Sequence, residues 1–484
     1  MNAPLHRLGA VALVLSLLGC GTIAPQVEPP EAPTLGITAA DRFAAAPDGG
    51  TAPTEADLRW WNRFNDPALA HWVERALANS PDTAIARERV VQAQALLRGT
   101  SARRSPLIGA QAAVDARSRR ASGERALDPS AALTLDWDLD LWGGLRQAEQ
   151  SAAASLLQAE DLAQAARLSV AGLTARAHVA WQEARLDEQL LADGLALQRE
   201  VLRVVDVRVR AGLAPRLDLD RAQSEAATLE ADAADAGVRV RQTAAALQVL
   251  AGVRPQPMAG TTAQLPLLQG AAPVARPIDL LRLRPDLRAA ERGLAVAAAD
   301  LGVARADLYP RLRLPGAITL TSGGLGGGVL DIVTATLSAV LEVALFDGGE
   351  RSARVDAARS RMAEAGEVYR QTLLQALQQA EAALVAAQGT ATRMRALERG
   401  NAAALSAVEQ ARTLYTNGLV GFLDVLEAQR SALDTRRALL RARADATRQA
   451  IATFEALGLI DPGEQSLRPA EAAAPPAPRE SAGG

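Results

Sequence analysis

Catalytic chemistry usually shows in a sequence as clustered histidines, cysteines or glycine-rich loops, and here there is little to build on. The 484 residues carry three His (His6, His71, His178) and one Cys (Cys20). No His/Cys cluster, nucleophile elbow or phosphate-binding loop is present, and the glycine-rich run 323–328 lacks a following Lys. No catalytic residue, metal ligand or cofactor is expected, and His178 beside Trp181 reads as a packed helix residue. What remains is a set of carboxylates beside two tight turns. Asp218 follows Gly212-Leu213-Ala214-Pro215-Arg216-Leu217, and Asp424 and Glu427 follow Gly418-Leu419-Val420-Gly421-Phe422-Leu423. Glycine past a helix end tolerates the left-handed conformation of a sharp reversal, so both turns read as tips of helical hairpins. A carboxylate in the first turn of a returning helix favours the positive end of its dipole, and that alone accounts for Asp218 and Asp424. The second reading is functional. Asp424 and Glu427 lie one turn apart on one face, and symmetric copies turning that face to a common axis would form carboxylate rings that attract cations.

The elements that must position these groups are written twice. Pro81 and Pro285 are 204 residues apart, Trp142 and Phe346 are 204 apart, and Gly212-Leu213 and Gly418-Leu419 are 206 apart. A drift of two residues over a whole copy marks a duplicated architecture. Each copy predicts a short helix (about 83–103 and 287–308), two strands (about 107–117 and 131–142; 311–321 and 336–346), a long helix and a return helix. The long helices, Gly144 to about Arg210 and Glu350 to about Tyr415, would reach roughly 100 Å at 1.5 Å per residue. The clearest strand alternates Leu133, Leu135, Trp137, Leu139 and Leu141 with Thr134, Asp136, Asp138 and Asp140, which puts three carboxylates on one face. A soluble sandwich of two antiparallel sheets would show the same pattern. A membrane barrel needs about eight strands or more, so four per chain imply oligomers, and the acidic faces favour a water-filled twelve-stranded trimer over an eight-stranded dimer. Trp142, Tyr309 and Phe346 fall at strand ends, where interfacial aromatics belong.

The ends of the chain point to an envelope. His6-Arg7, the apolar run Leu8 to Leu18 and then Gly19-Cys20 read as a secretion signal too short to span a bilayer. Leu17-Leu18-Gly19-Cys20 resembles a bacterial lipobox, which implies a mature N-terminus at a lipidated Cys20; an ordinary signal with an incidental Cys is the alternative. The domains expected are a signal peptide (1–19), a lipidated extended tether (20–56), repeat 1 (57–252), an equatorial linker (253–284), repeat 2 (285–460) and a disordered tail (461–484). A formal charge of −3 gives no concentrated positive face, which argues against nucleic acid as a partner.

Three segments together resemble one family. Trp60-Trp61-Asn62-Arg63-Phe64-Asn65-Asp66-Pro67-Ala68-Leu69 looks like its opening motif, Leu280-Leu281-Arg282-Leu283-Arg284-Pro285-Asp286-Leu287 its central signature, and Tyr415-Thr416-Asn417-Gly418-Leu419-Val420-Gly421-Phe422-Leu423-Asp424 its second hairpin tip. The chain is identified as a member of the TolC-like outer-membrane factors, in the lipoprotein branch serving resistance-nodulation-division (RND) pumps. The resemblance implies a long α-helical coiled-coil barrel plus four strands per subunit in a trimeric twelve-stranded transmembrane β-barrel. It implies a homotrimer in outer-membrane lipid, a periplasmic adaptor and an inner-membrane pump as partners, and passive exit of small toxic compounds. It also implies a periplasmic gate at Asp218, Tyr415, Asp424 and Glu427, and adaptor contact at Gly212, Leu213, Ala214, Gly418, Leu419, Val420 and Gly421. Some members add an Arg to the gate where this chain has Val420, so apolar contact and hydrogen bonds are expected there. A tethering coiled-coil lipoprotein and a protein-secretion duct are the competing readings.

Overall fold

The structure is a computed structural model that describes residues 36–38, 40–46, 51–119, 124–258, 262–321 and 332–463. Cys20, the signal segment, most of the expected tether, the glycine-rich run 323–328 and the tail beyond 463 lie outside the described residues. After 3-10 turns over Glu55–Phe64, the elements run α1 (Pro67–Asn79), α2 (Pro81–Ala102), β1 (Leu107–Arg119), β2 (Glu124–Asp136), β3 (Asp138–Leu139), α3 (Gly144–Arg210) and α4 (Arg216–Leu250). A helical turn at Leu280–Leu283 leads into α5 (Pro285–Ala306), β4 (Arg311–Arg313), β5 (Gly316–Thr321), β6 (Ile332–Leu337), β7 (Val340–Glu342), α6 (Glu350–Thr416) and α7 (Phe422–Ala456). Among the described residues no helix is long and apolar enough to cross a membrane.

Helix boundaries follow local chemistry. Prolines open α1, α2 and α5, where a missing amide donor costs nothing. Asp66 caps α1, its carboxylate accepting from the amides of Ala68 at 2.9 Å and Leu69 at 3.1 Å. Four helix ends close in the same way. The amides of Leu213, Val253, Leu419 and Leu459 donate to the carbonyls of Arg208, Gln248, Leu414 and Phe454 at 2.8, 2.8, 2.9 and 3.1 Å. Each preceding glycine, Gly212, Gly252, Gly418 or Gly458, has φ between +67° and +74°. This is the six-to-one closure in which a left-handed residue satisfies the last helical carbonyls.

The chain divides into two compact units, one holding Glu88–Asp161 and Arg288–Thr372, the other Ile37–Arg87, Leu162–Leu287 and the described part of Leu373–Gly484. In the first, a four-stranded antiparallel sheet has the order β1-β2-β5-β6 and a smaller sheet the order β3-β4-β7. Glycines let helices close in on one another: a Cβ on Gly302 would stand 2.5 Å from Gln147 Oε1, and one on Gly293 would stand 3.0 Å from Gln158 Nε2.

The second expected strand of each copy differs from its sequence reading. In the first copy it starts at Glu124 rather than about 131, because thirteen register pairs with β1 extend the hairpin through residues that do not alternate. It breaks at Trp137 and resumes only over Asp138–Leu139. The second-copy strand runs 332–337 and 340–342, so Val343 to Phe346 lie beyond it. The three carboxylates are not a free acidic row. Asp136 and Asp138 meet Arg313 at 2.6 and 3.5 Å. Asp140 turns to the start of α3, accepting from the amides of Leu145 at 3.0 Å and Arg146 at 2.9 Å.

In the second unit, Trp60, Trp61 and Phe64 are buried, and Trp60 stacks on Phe454 with ring centroids 5.7 Å apart. Helix α7 is fastened to the first repeat by ion pairs: Arg430 with Glu225, Arg437 with Asp187 at 2.7 Å, Arg448 with Glu183, and Glu455 with Arg176. Burial opposes ionisation of Asp187, but hydrogen bonds and attraction from Arg437 and Arg239 prevail and hold it below the usual carboxylate range. Its contribution to stability is therefore present above the unfolded carboxylate range and is lost as pH falls through the depressed folded value. His178 is fully buried, as expected of a packed residue, with Nε2 2.9 Å from Asp66 Oδ2.

Each repeat also ends in a tight contact. A Cβ on Gly252 would stand 2.4 Å from the Asn79 carbonyl oxygen, and one on Gly458 would stand 2.7 Å from Arg284 Cα. Gly458→Ala is therefore expected to destabilise by about 2–4 kcal/mol, from left-handed strain plus overpacking. Gly366→Ala, in α6 with open space around it, should be neutral or slightly stabilising. Denaturation midpoints of the two variants check this, and equal midpoints would refute it.

Candidate functional site

The two hairpin tips, each a continuation of one long helix, share an apolar plug. Val205 of α3, Leu219 and Ala222 of α4, and Phe422 and Leu426 of α7 form one buried cluster, with Val201, Leu202, Val209 and Tyr415 packed against it. Residues from both copies thus meet in one core. Tyr415, in the last turn of α6, lies 6.0 Å ring to ring from Phe422, and the Arg208 guanidinium sits over its ring at 4.6 Å. Burial pushes the Tyr415 phenol above its ordinary range, with Arg208 opposing and the Asp218 carboxylate adding to the shift. The Tyr415 hydroxyl is buried and meets no hydrogen-bond partner among the described residues.

Of the expected gate residues, Asp218 and Tyr415 therefore share one neighbourhood, while Asp424 and Glu427 do not enter it. On α7, Phe422, Val425 and Leu426 are buried, whereas Asp424 and Glu427 are exposed on the other side of the helix. Asp424 accepts from the Gly421 amide at 2.9 Å and so caps its own helix. Asp218 is half-buried with Arg221 3.9 Å away.

Two residues here escaped the sequence reading. Arg208 supplies a cation to the Tyr415 ring from the first repeat, whereas the resemblance points to position 420 of the second; its place in the last turn of α3 is the available signal. Glu225, buried on α4, takes the Arg430 side chain from α7, with Nε at 2.7 Å. The tips themselves expose bulky apolar groups, Leu213 at 70% and Leu419 at 71%. Ala214 and Val420 are half-buried, and Gly212, Gly418 and Gly421 are exposed. Among the strand-end aromatics, Trp142 stacks on Tyr309 at 4.9 Å and donates to the Pro310 carbonyl at 2.5 Å, while Phe346 is 92% exposed. No group of three or more metal-ligating side chains occurs among the described residues.

With this geometry in place, comparison with known proteins defines the class. A family model described as outer membrane efflux protein matches residues 72–253 and 277–459. The chain belongs to this family of outer-membrane channel proteins. It is 31% identical over 481 residues to the pyoverdine export outer membrane protein OpmQ of Pseudomonas putida, covering 95% of this chain and 98% of that one. It is 30% identical to nodulation protein T of Rhizobium leguminosarum bv. trifolii, over 88% of this chain and 92% of the relative. Among solved structures, the outer-membrane channel OprN matches with a TM-score of 0.76 at 29% identity, covering 85% of this chain and 97% of that one. CusC matches in fold with a TM-score of 0.80 at 24% identity, covering 90% of this chain and 100% of that one. The two 67-residue helices and the antiparallel strands of this chain thus share the fold of the OprN channel.

Phe422→Ala should cost about 3–5 kcal/mol, because it empties the centre of the shared plug. Tyr415→Phe should change stability by less than about 1 kcal/mol, since the hydroxyl it removes makes no bond among the described residues. Thermal unfolding of both variants tests the pair, and a large loss for Tyr415→Phe would contradict this description.

Proposed function

We propose that the protein is the outer-membrane duct of a tripartite efflux system, assembled as a homotrimer and passing small toxic compounds passively, with no catalytic step. The observation that carries the trimer is the four-stranded sheet with β1 and β6 at its ends. Unpaired backbone groups at such edges cannot be left in hydrocarbon, so the ladder must close through further copies. Three copies bring twelve strands, enough for an aqueous lumen. Leu107, Ile108, Val333 and Leu337 are each more than 60% exposed in the single chain, which suits contact with lipid or with neighbouring strands. In this reading the segment 1–19 is removed and Cys20 carries the lipid anchor.

The periplasmic end is the gate. Asp424 and Glu427, exposed on the side of α7 away from the apolar plug, form carboxylate rings around the axis, and Tyr415 and Asp218 line the hairpin contact behind them. Arg208 over Tyr415 supplies a cation to this latch from the first repeat. Leu213 and Leu419, projecting from both tips, are the apolar knobs for an adaptor that links the duct to an RND-type inner-membrane pump. The relatives named for pyoverdine export and cation efflux, OpmQ and CusC, support an efflux reading over protein secretion.

Purified protein in planar bilayers should conduct and prefer cations. The double variant Asp424→Asn with Glu427→Gln should lower the cation-to-anion permeability ratio several-fold, because the rings lose their charge. Protein that never conducts, even with Phe422 replaced, would favour an envelope tether. Leu213→Asp with Leu419→Asp should abolish resistance in cells while leaving bilayer conductance intact.

A further inference from the structure

The repeat lets one half of the chain report what is missing beside the other. Helices α3 and α6 start and end 206 residues apart (350 − 144 and 416 − 210), as do α4 and α7 (422 − 216 and 456 − 250). In the first repeat, the extended segment 263–267 lies over the junction of α3 and α7. The Gln264 amide donates to Gln182 Oε1 on α3 at 3.4 Å, and Thr447 on α7 donates to the Pro266 carbonyl at 2.8 Å. Leu265 is buried beneath this crossing.

Position 182 plus 206 is Gln388 on α6, and Gln388 also holds an extended segment. Its Nε2 donates to the Ala45 carbonyl at 3.0 Å. One heptad earlier, the two oxygens of Glu381 take the amides of Ala44 at 3.1 Å and Ala45 at 2.9 Å, with Phe43 only 7% exposed. This part of the expected extended tether is therefore a seated strap.

In the first repeat the far side of the strap is α7. Its counterpart in sequence is α4, and the matching face of α4 is uncovered among the described residues. Ala231, Gln242 and Val249 correspond to Arg437, Arg448 and Glu455, which bind α3; all three are exposed, Val249 at 57%. Arg241 corresponds to the buried Thr447 that grips the first strap, and it is exposed. No arginine pairs with Glu381, and no carboxylate with Arg241, among the described residues.

We propose that residues 43–46, clamped by Glu381 and Gln388, bridge the seam between two copies of this chain, with Arg241 on α4 of the second copy gripping the strap or Glu381 from the far side. The segment that leads back to Cys20 thus fastens one subunit to the next. The proposal rests on the trimer reading and deepens it.

The test uses Ala45→Cys combined in turn with Val238→Cys, Arg241→Cys or Ala245→Cys in the full-length protein, with each single variant as a control. Mass in detergent is measured in parallel. Mild oxidation should give covalent dimers and trimers with a maximum at position 241, and none from the single variants. Adding Glu381→Ala should cut the cross-linked fraction about tenfold, the loss expected for charge-assisted hydrogen bonds. A trimeric mass without cross-links at any of the three positions would overturn the strap and leave the channel reading standing. A monomeric mass would overturn both. Cross-links insensitive to Glu381→Ala would overturn the clamp.

Discussion

Everything in the helical unit depends on how α7 is held against the first repeat. Its charged anchors, Arg430, Arg437, Arg448 and Glu455, are spaced 7, 11 and 7 residues apart. On an ideal helix a seven-residue step drifts about 20° one way and an eleven-residue step about 20° the other, so the alternation cancels. The anchors form a straight stripe, and α7 can run beside its partners without the supercoil that a strict heptad imposes. Paired charges of this kind contribute little net stability, yet a slip of one turn leaves several of them unpaired in a partly dry seam, and that fixes the register. Correct register in turn brings Phe422 and Leu426 onto Val205 and Leu219, where the tips from the two repeats share one plug.

The plug and the exposed carboxylates divide the labour on α7. One side of the helix is apolar and buried, and the other presents Asp424 and Glu427 to solvent. Arg208 belongs to the same economy. A guanidinium over a ring gains from the quadrupole without requiring a carboxylate partner, and it can be left or re-formed by a small helix movement.

Much of this was legible in the sequence wherever the governing physics was local. Gly212 and Gly418 mark the ends of α3 and α6 because a left-handed residue is needed there, and the 206-residue spacing carried that reading from one repeat to the other. The strands were less legible. Alternation at Leu133 to Leu141 suggested one unbroken strand, but Asp140 is claimed by the amides of Leu145 and Arg146, and Trp137 interrupts the ladder. Conversely, Glu124 to Ser130 shows no alternation and is drawn into β2 by its partner β1. Arg208, Glu225 and Glu381 were invisible as site residues because their partners come from another helix or from the distant N-terminal segment. A single sequence does not reveal which charge a long-range fold delivers to which neighbour.

The division of ion pairs between the two repeats also orders events in time. All four anchors of α7 find their counterions inside one polypeptide, so the helical unit can complete its own register in water as a lone monomer. The corresponding positions on α4, Ser224, Ala231, Gln242 and Val249, carry no charge and demand no partner of fixed sign. The charges that set the register of α7 are therefore matched before any second chain arrives, and folding of the helical unit can run ahead of association.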